Sequence, residues 1–334
     1  MILYDPAGTV SMEPFGIRIP IRDSRATRTF AALAAEAHLG PLVHHWHHKT
    51  IGEQIDRKDL LRVHTADYVA RLYSDGLEAE LLSTFELIDD QGRYHRYAPD
   101  QADKPLFELF EGIVHKVAGS VQCARLALNH GFCFYFSGGM HHAYQDHGSG
   151  FCLVNDVLIA ARKVQAEGLV RKVWIIDADA HKGDGTAAIA QGDATITTLS
   201  IHMASGWPLD GPLLLTDGRP NPVFTPSDID IPIASGEEFR YLARLEQGLR
   251  QLDRSGRPQL AIVLAGADPY ELDELPSSAG LRLSLPQMLA RDQLIYTFLR
   301  DRNIPAAFLM AGGYGDHVWQ VYAQFLSWAL KRIH

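Results

Sequence analysis

The sequence is poor in cysteine: of 334 residues only Cys123, Cys133 and Cys152 carry a thiol. An odd, sparse set cannot build a disulfide framework and fits a reducing compartment. Long apolar runs are also missing, and no stretch approaches the roughly 20 residues that span a bilayer. Met1 to Pro6 lack a basic region followed by an apolar one, so no signal peptide is expected. There is no low-complexity tract, no internal repeat and no linker. Basic charge is in deficit, with 31 Lys and Arg against 40 Asp and Glu and a formal net charge of −9. That balance argues against non-specific binding to nucleic acid. The expectation is a cytoplasmic protein with no nucleic-acid or membrane partner; a homo-oligomer stays open.

What is present is ordinary for a globular protein, with 46% hydrophobic and 21% charged residues. The chain is long enough to bury a substantial core. Short apolar runs bounded by Gly or Asp occur at 2–4, 132–136, 172–176, 194–201, 259–265 and 304–311, as expected of parallel strands buried on both faces. Helical spacing of apolar residues runs through 107–129, 156–167, 236–253, 286–302 and 316–331, with shorter helices near 26–37 and 67–73. The polar, Pro- and Gly-bearing stretch 206–226 reads as a surface loop between two strand-like runs. Strand–helix alternation predicts a three-layer α/β/α fold with a mostly parallel central sheet, and residues 1–334 as a single domain.

In such sheets sites form where strands end at their carboxyl edge. Four predicted strands end in small residues that carry His, Asp or Tyr: Ser137 to His142, Asp177 to Gly185, Ala265 to Asp268 and Ala311 to Gly315. Asp179 and His181 stand two apart and point the same way on an extended segment. Asp268, from another strand end, completes three protein ligands. Two carboxylates and an imidazole suit zinc, with ferrous iron the second candidate, and leave a position open. Asp177 and Asp184 flank these ligands and are placed to orient one imidazole each of His141 and His142, giving a general base and acid. Tyr314 can donate its hydroxyl to a developing oxyanion. Each Asp taken alone is an ordinary turn residue or helix cap; four clusters at four strand ends are not.

These residues resemble the histone deacetylase and acetylpolyamine amidohydrolase family. The resemblance rests on Gly-Gly-Met-His-His-Ala (138–143), Gly-Ser-Gly-Phe-Cys-Leu-Val-Asn-Asp (148–156), Asp-Ala-Asp-Ala-His-Lys-Gly-Asp-Gly-Thr (177–186), Ala-Gly-Ala-Asp (265–268) and Gly-Gly-Tyr-Gly (312–315). It covers about residues 130 to 316, with a weaker element at 60–68, and leans towards class IV-like, bacterial members. It implies an arginase/deacetylase-like fold and removal of an acetyl or other acyl group from a protein lysine, a polyamine or another small amine by attack of water. Asp179, His181 and Asp268 match the zinc ligands. His142 matches the general base and acid, His141 its charge-stabilising neighbour, and Asp177 and Asp184 the carboxylates behind them. Tyr314 matches the residue that polarises the acyl carbonyl. Phe151 and Trp207 look like the aromatic walls of the acyl-lysine tunnel, and Gly150 lies where the family accepts the substrate amide. Ser200, with backbone around Asp177, Asp179 and His181, resembles a structural potassium (K+) site. Lys182 stands where many members have a second His. Asp89 and Asp90 are candidates for the family's substrate-binding loop Asp, and the acidic tract Glu271 to Glu274 motivates a preference for a cationic amine.

Two rivals share the fold. A ureohydrolase holding two metal ions would need carboxylates where Gly183 and Tyr270 stand. A catalytically inactive acyl-lysine-binding relative would be expected to lack a ligand or the tyrosine. The run His44-His45-Trp46-His47-His48 reads as a surface or entrance segment. Arg18, Arg22, Arg25 and Arg28 read mostly as surface charges, one of them lining an exit path for acetate. Cys152 is close to the site but unnecessary to a metal mechanism.

Overall fold

The computed structural model describes residues 1–6, 11–89 and 91–333. Its frame is an eight-stranded sheet: β1 (Ile2–Leu3), β2 (His47–His48), β3 (Phe132–Tyr135), β4 (Val173–Asp177), β5 (Ile196–Met203), β6 (Ile229–Ile233), β7 (Leu260–Leu264) and β8 (Ala306–Leu309). The order is β2-β1-β3-β8-β7-β4-β5-β6, and every pairing between these strands is parallel. All eight carboxyl ends therefore share one edge.

Residues alternate between the faces with the period of two that a pleated strand imposes. Trp174 and Ile176 of β4, Phe132 and Phe134 of β3 and Phe308 of β8 join one apolar layer, with helices Ser24–Ala35, Tyr241–Asp253, Leu285–Asp301 and Trp319–Leu330. Val173 and Ile175, Cys133 and Tyr135, and Ala307 and Leu309 join the other, with helices Leu109–His130 and Asp156–Ala166. The result is the expected three-layer α/β/α arrangement. Local chemistry sets its helix starts: Asn155 accepts from the Leu158 N–H, and Ser284 with Gln287 forms a capping box.

Four segments depart from expectation. The histidine run ends in strand β2, paired in register with β1 (Ile2 opposite His47). Trp46 anchors it, fully buried, with its indole N–H donating to the Leu39 carbonyl at 2.9 Å; only His44 and His45 of the run are exposed. A two-residue strand has no periodicity to read. The helix expected from Gly236 begins at Tyr241, after a 3-10 turn at Glu238–Arg240. Helices Leu77–Thr84 and Asp184–Ala190 were not expected either.

Candidate active site

Neighbouring strands β3, β8, β7, β4 and β5 deliver the site, each through the loop at its carboxyl end. Asp179, His181 and Asp268 converge there, all buried, with one ligand atom from each within 4.8 Å of the others. His181 Nδ1 lies 3.2 Å from Asp179 Oδ1 and 3.0 Å from Asp268 Oδ2. Backbone N–H groups aim the carboxylates: Ala180 donates to Asp268 at 3.0 Å, and His181 and Gly312 donate to Asp179 at 3.0 and 2.9 Å. The floor must be glycine, because a Cβ on Gly312 would stand 2.4 Å from Asp179 Oδ2, and one on Gly266 would stand 2.7 Å from it.

Burial and the adjacent Asp179 push the Asp268 carboxyl up to about 8. Burial works against a charged His181, but its bonds to both carboxylates prevail and raise it to about 10. Two buried carboxylates thus compete for one imidazole proton. That is the electrostatic condition a divalent cation relieves, and the donor set of two oxygens and one nitrogen suits one. Among the described residues this is the sole group of this kind.

Two His–Asp pairs lie beside it. His141 Nδ1 is 2.7 Å from Asp177 Oδ2, and His142 Nδ1 is 2.6 Å from Asp184 Oδ1. Asp184 also accepts from the Tyr144 hydroxyl at 2.7 Å, and Asp177 from the Asp179 N–H at 3.1 Å. The two imidazoles differ in environment. Burial opposes the charged form of His141, but Asp177 and Asp179 outweigh it and hold the ring up at about 9. For His142 burial and the neighbouring His141 charge win over Asp184, and its value falls below the ordinary 6.5. At neutral pH one ring is a cation and the other a free base, a separation that defines acid–base roles.

A cavity of about 220 Å³ opens above these groups, lined by His142, His181 and Tyr314 at its inner end. The expected walls are in its lining. Trp207 packs edge-on against His142, ring centroids 4.5 Å apart, and Phe151 meets Tyr314 at 6.4 Å. Gly150 sits where a Cβ would be 2.3 Å from Trp207 and 2.7 Å from His142. Burial and the charges of Asp179 and Asp268 push the Tyr314 phenol well above its usual range, so it remains a proton donor. Ser200 is paired with Asp177 across β4 and β5, and its hydroxyl is buried without a partner.

Other expectations meet different fates. Lys182 points to Asp230, 3.2 Å away. Burial pushes the Cys152 thiol well up, which excludes it as a ready nucleophile. Arg25 donates to the carbonyls of Ala311 and Gly313 at 2.8 and 3.3 Å and lines a smaller inner cavity of about 80 Å³. Tyr270 turns its hydroxyl to Gln320, 3.2 Å away, so it supplies nothing to a second metal. Asp89 is spent in its own turn, accepting from the N–H groups of Gln91 and Arg93 and from the Arg93 side chain; Asp90 lies outside the described residues. The acidic tract is absent from the lining of this cavity, which that loop reaches through Leu275 and Ser277 instead. Glu274 accepts from the Asp316 N–H, and Asp273 accepts from the N–H groups of Tyr314 and Leu275.

Sequence reasoning missed the residues underneath. Arg291, fully buried, donates to the carbonyls of Ala178 and Gly266 at 2.9 and 2.7 Å and so ties together the loops that carry Asp179, His181 and Asp268. Asp156 accepts from the N–H groups of Gly139 and Met140 and from Ser120, fixing the loop that carries both histidines. His64 bridges the Tyr144 carbonyl and the Asn155 N–H. A buried Arg–Asp neighbour pair within an otherwise apolar helix face (Arg291 and Asp292) was the one available signal.

The histone deacetylase domain profile matches residues 19–330, and the chain belongs to that family. An uncharacterized protein of Picosynechococcus is 33% identical over 203 residues, covering 60% of this chain and 62% of its own length. Histone deacetylase 2 of Arabidopsis thaliana is 27% identical over 261 residues, 77% of this chain and 60% of its own. The acetoin utilization protein AcuC of Staphylococcus aureus is 28% identical over 188 residues, 56% of this chain and 47% of its own. The chain thus spans less than two thirds of the length of these relatives.

Proposed function

We propose that residues 1–334 form a single catalytic domain that hydrolyses the amide of an acylated amine, an acyl-lysine or another acylated small amine. The observation that carries this reading is the meeting, where the two cavities adjoin at His142, His181 and Tyr314, of the Asp179–His181–Asp268 group with two differently charged His–Asp pairs. Asp179, His181 and Asp268 would hold the metal ion, zinc before ferrous iron. Such an ion acts as a Lewis acid on the acyl carbonyl and lowers the pKa of water.

The remaining chemistry belongs to the side chains. Asp184 accepts from His142 Nδ1, which leaves Nε2 as the base that takes the proton of the attacking water. His142 then returns that proton to the departing amine nitrogen, the carbon–nitrogen bond breaks, and a carboxylic acid and an amine are released. His141, held as a cation by Asp177, stabilises the negative charge that develops on the substrate. Tyr314 donates its hydroxyl to the same acyl oxygen. Phe151 and Trp207 hold the aliphatic chain and exclude water, with Gly150 between them for the amide. Ser200, whose buried hydroxyl has no partner, would take a potassium ion together with backbone around Asp177, Asp179 and His181.

The test is hydrolysis of an acetyl-lysine peptide and an acetylated polyamine by metal-stripped protein, before and after one equivalent of zinc. Acetate release that depends on added metal is expected. No release from any acyl amine by folded, zinc-loaded protein would overturn the proposal.

A further inference from the structure

The acyl cavity has one carboxylate and one guanidinium in its lining beyond the inner-end imidazoles: Glu86 and Arg96. Arg96 Nη1 donates to Glu86 Oε2 at 3.1 Å, and the two side chains are 33% and 44% exposed. The guanidinium also lies 5.9 Å from the Phe151 ring, so it stands against the aromatic wall. Both residues have left-handed backbone, φ 54° for Glu86 and 52° for Arg96. Glu86 ends the helix Leu77–Thr84, with its N–H on the Ser83 carbonyl and the Leu87 N–H on that of Leu82. Glycine or asparagine is favoured in that position, so a glutamate gives up backbone ease for its side chain. An exposed ion pair contributes too little stability to account for two such residues facing each other at a cavity mouth.

We infer that Glu86 and Arg96 form a head-group site for a zwitterion: the free amino acid Nε-acyl-lysine, or a close acylated diamino acid. This deepens the proposed function and rests on it. The α-ammonium replaces Arg96 on Glu86, the α-carboxylate replaces Glu86 on Arg96, and the aliphatic chain runs between Phe151 and Trp207 to the amide. A lysine inside a peptide presents two neutral amides to the same pair and leaves both charges unmatched. A polyamine tail would suit Glu86 but meet Arg96, and the acidic loop at 271–274 gives it no help inside the cavity.

The experiment compares three probes on the metal-loaded protein: Nε-acetyl-lysine, its doubly blocked form with neutral α-amides, and an acetylated five-carbon diamine without a carboxylate. Calorimetric binding and hydrolysis are both read. The free amino acid is expected to exceed each of the others roughly tenfold or more, the scale of one lost charge-assisted hydrogen bond. Arg96→Gln should collapse the preference over the diamine; Glu86→Gln should reduce the preference over the blocked form, and the double variant should remove it. Equal or better handling of the blocked form by the unaltered protein overturns the inference. So does an equal loss on all three probes in Arg96→Gln, which a structural clamp would produce. If nothing is hydrolysed while the order of affinities holds, the head-group site stands and the hydrolase reading falls. If the free amino acid does not bind, the head-group site falls.

Discussion

Acid should cost this fold about 3 kcal/mol through one imidazole that touches no substrate. His64 is 4% exposed; its Nδ1 donates to the Tyr144 carbonyl at 2.9 Å and its Nε2 accepts from the Asn155 N–H at 3.0 Å. Both nitrogens are satisfied by the neutral ring, so a second proton has nowhere to bond and would break the contact to Asn155. Burial accordingly lowers His64 from 6.5 to about 4. Between those values the unfolded chain binds the proton and the folded chain does not, so stability rises with pH. The contribution is complete above 6.5 and is lost as pH falls towards 4. At 1.4 kcal/mol per tenfold that interval amounts to about 3 kcal/mol, of which about 2 is gone by pH 5. Urea unfolding of the parent and of His64→Gln, at about pH 7.5 and pH 5, isolates the effect. His202, also buried and lowered to about 3, and the Asp179–His181–Asp268 group titrate in both proteins and cancel in the comparison. The variant should be weaker at pH 7.5 yet lose about 2 kcal/mol less on acidification. An unchanged pH dependence in His64→Gln would refute the assignment. The consequence reaches the site, because Tyr144 bonds Asp184 and Asn155 Nδ2 donates to the Ala143 carbonyl.

The same electrostatics shape the rate profile: kcat/KM should fall on the acid side only below 6.5, as His142 takes a proton, and on the alkaline side by about 9, as His141 loses one. A cation on Asp179 withdraws part of what raises His141, so about 9 is the ceiling, and Asp177→Asn should move the alkaline limb down; a limb that stays put would detach it from His141. Tyr314→Phe should lower kcat roughly 10²- to 10³-fold with zinc content unchanged, and a loss confined to KM would instead make the hydroxyl a ground-state contact. Arg291→Met should destabilise the protein by about 3–5 kcal/mol, because Asp292 is left buried and unpaired. The double variant Arg291→Met with Asp292→Leu should recover much of that in chemical denaturation, and no recovery would shift the cause to the carbonyls of Ala178 and Gly266.

The core of the site was legible because its chemistry is local in sequence. Asp177 to Asp184 is one loop, and the strand before it is apolar on both faces, so the position of the loop at the carboxyl edge followed from pattern alone. Asp268 and Tyr314 were recoverable for the same reason. The mouth was not. Glu86 and Arg96 are ten residues apart, one at a helix end and one beyond a short hairpin bridged at Ile88 and Tyr94, and nothing in their spacing says that they meet. The acidic tract misled in the opposite direction, since a run of carboxylates reads as a charged rim until Asp273 and Glu274 are seen to accept from backbone N–H groups. Arg291 left only a faint trace: an Arg–Asp pair on an apolar helix face says that a guanidinium is buried there, but not that it meets the carbonyls of Ala178 and Gly266.

Charge alone narrows what the site can hold. Asp177, Asp179, Asp184 and Asp268 are all buried at one sheet edge, and burying an unpaired carboxylate is costly. Arg291 is committed to Asp292 and to carbonyl oxygens, and so adds little to their neutralisation. The His141 imidazolium offsets one charge, while His142 must stay neutral to act as a base. If His181 is a ligand, its proton is gone as well. Before any potassium ion beside Ser200 is counted, a monovalent ion at the trio would leave two carboxylates uncompensated, whereas a dication leaves one. That last charge falls to Asp184, which already accepts from Tyr144 and His142 and is held below the ordinary carboxylate value despite its burial. The buried charges balance with fewest defects when the trio carries a divalent ion and His142 is free to gain a proton, the state that the proposed amide hydrolysis requires.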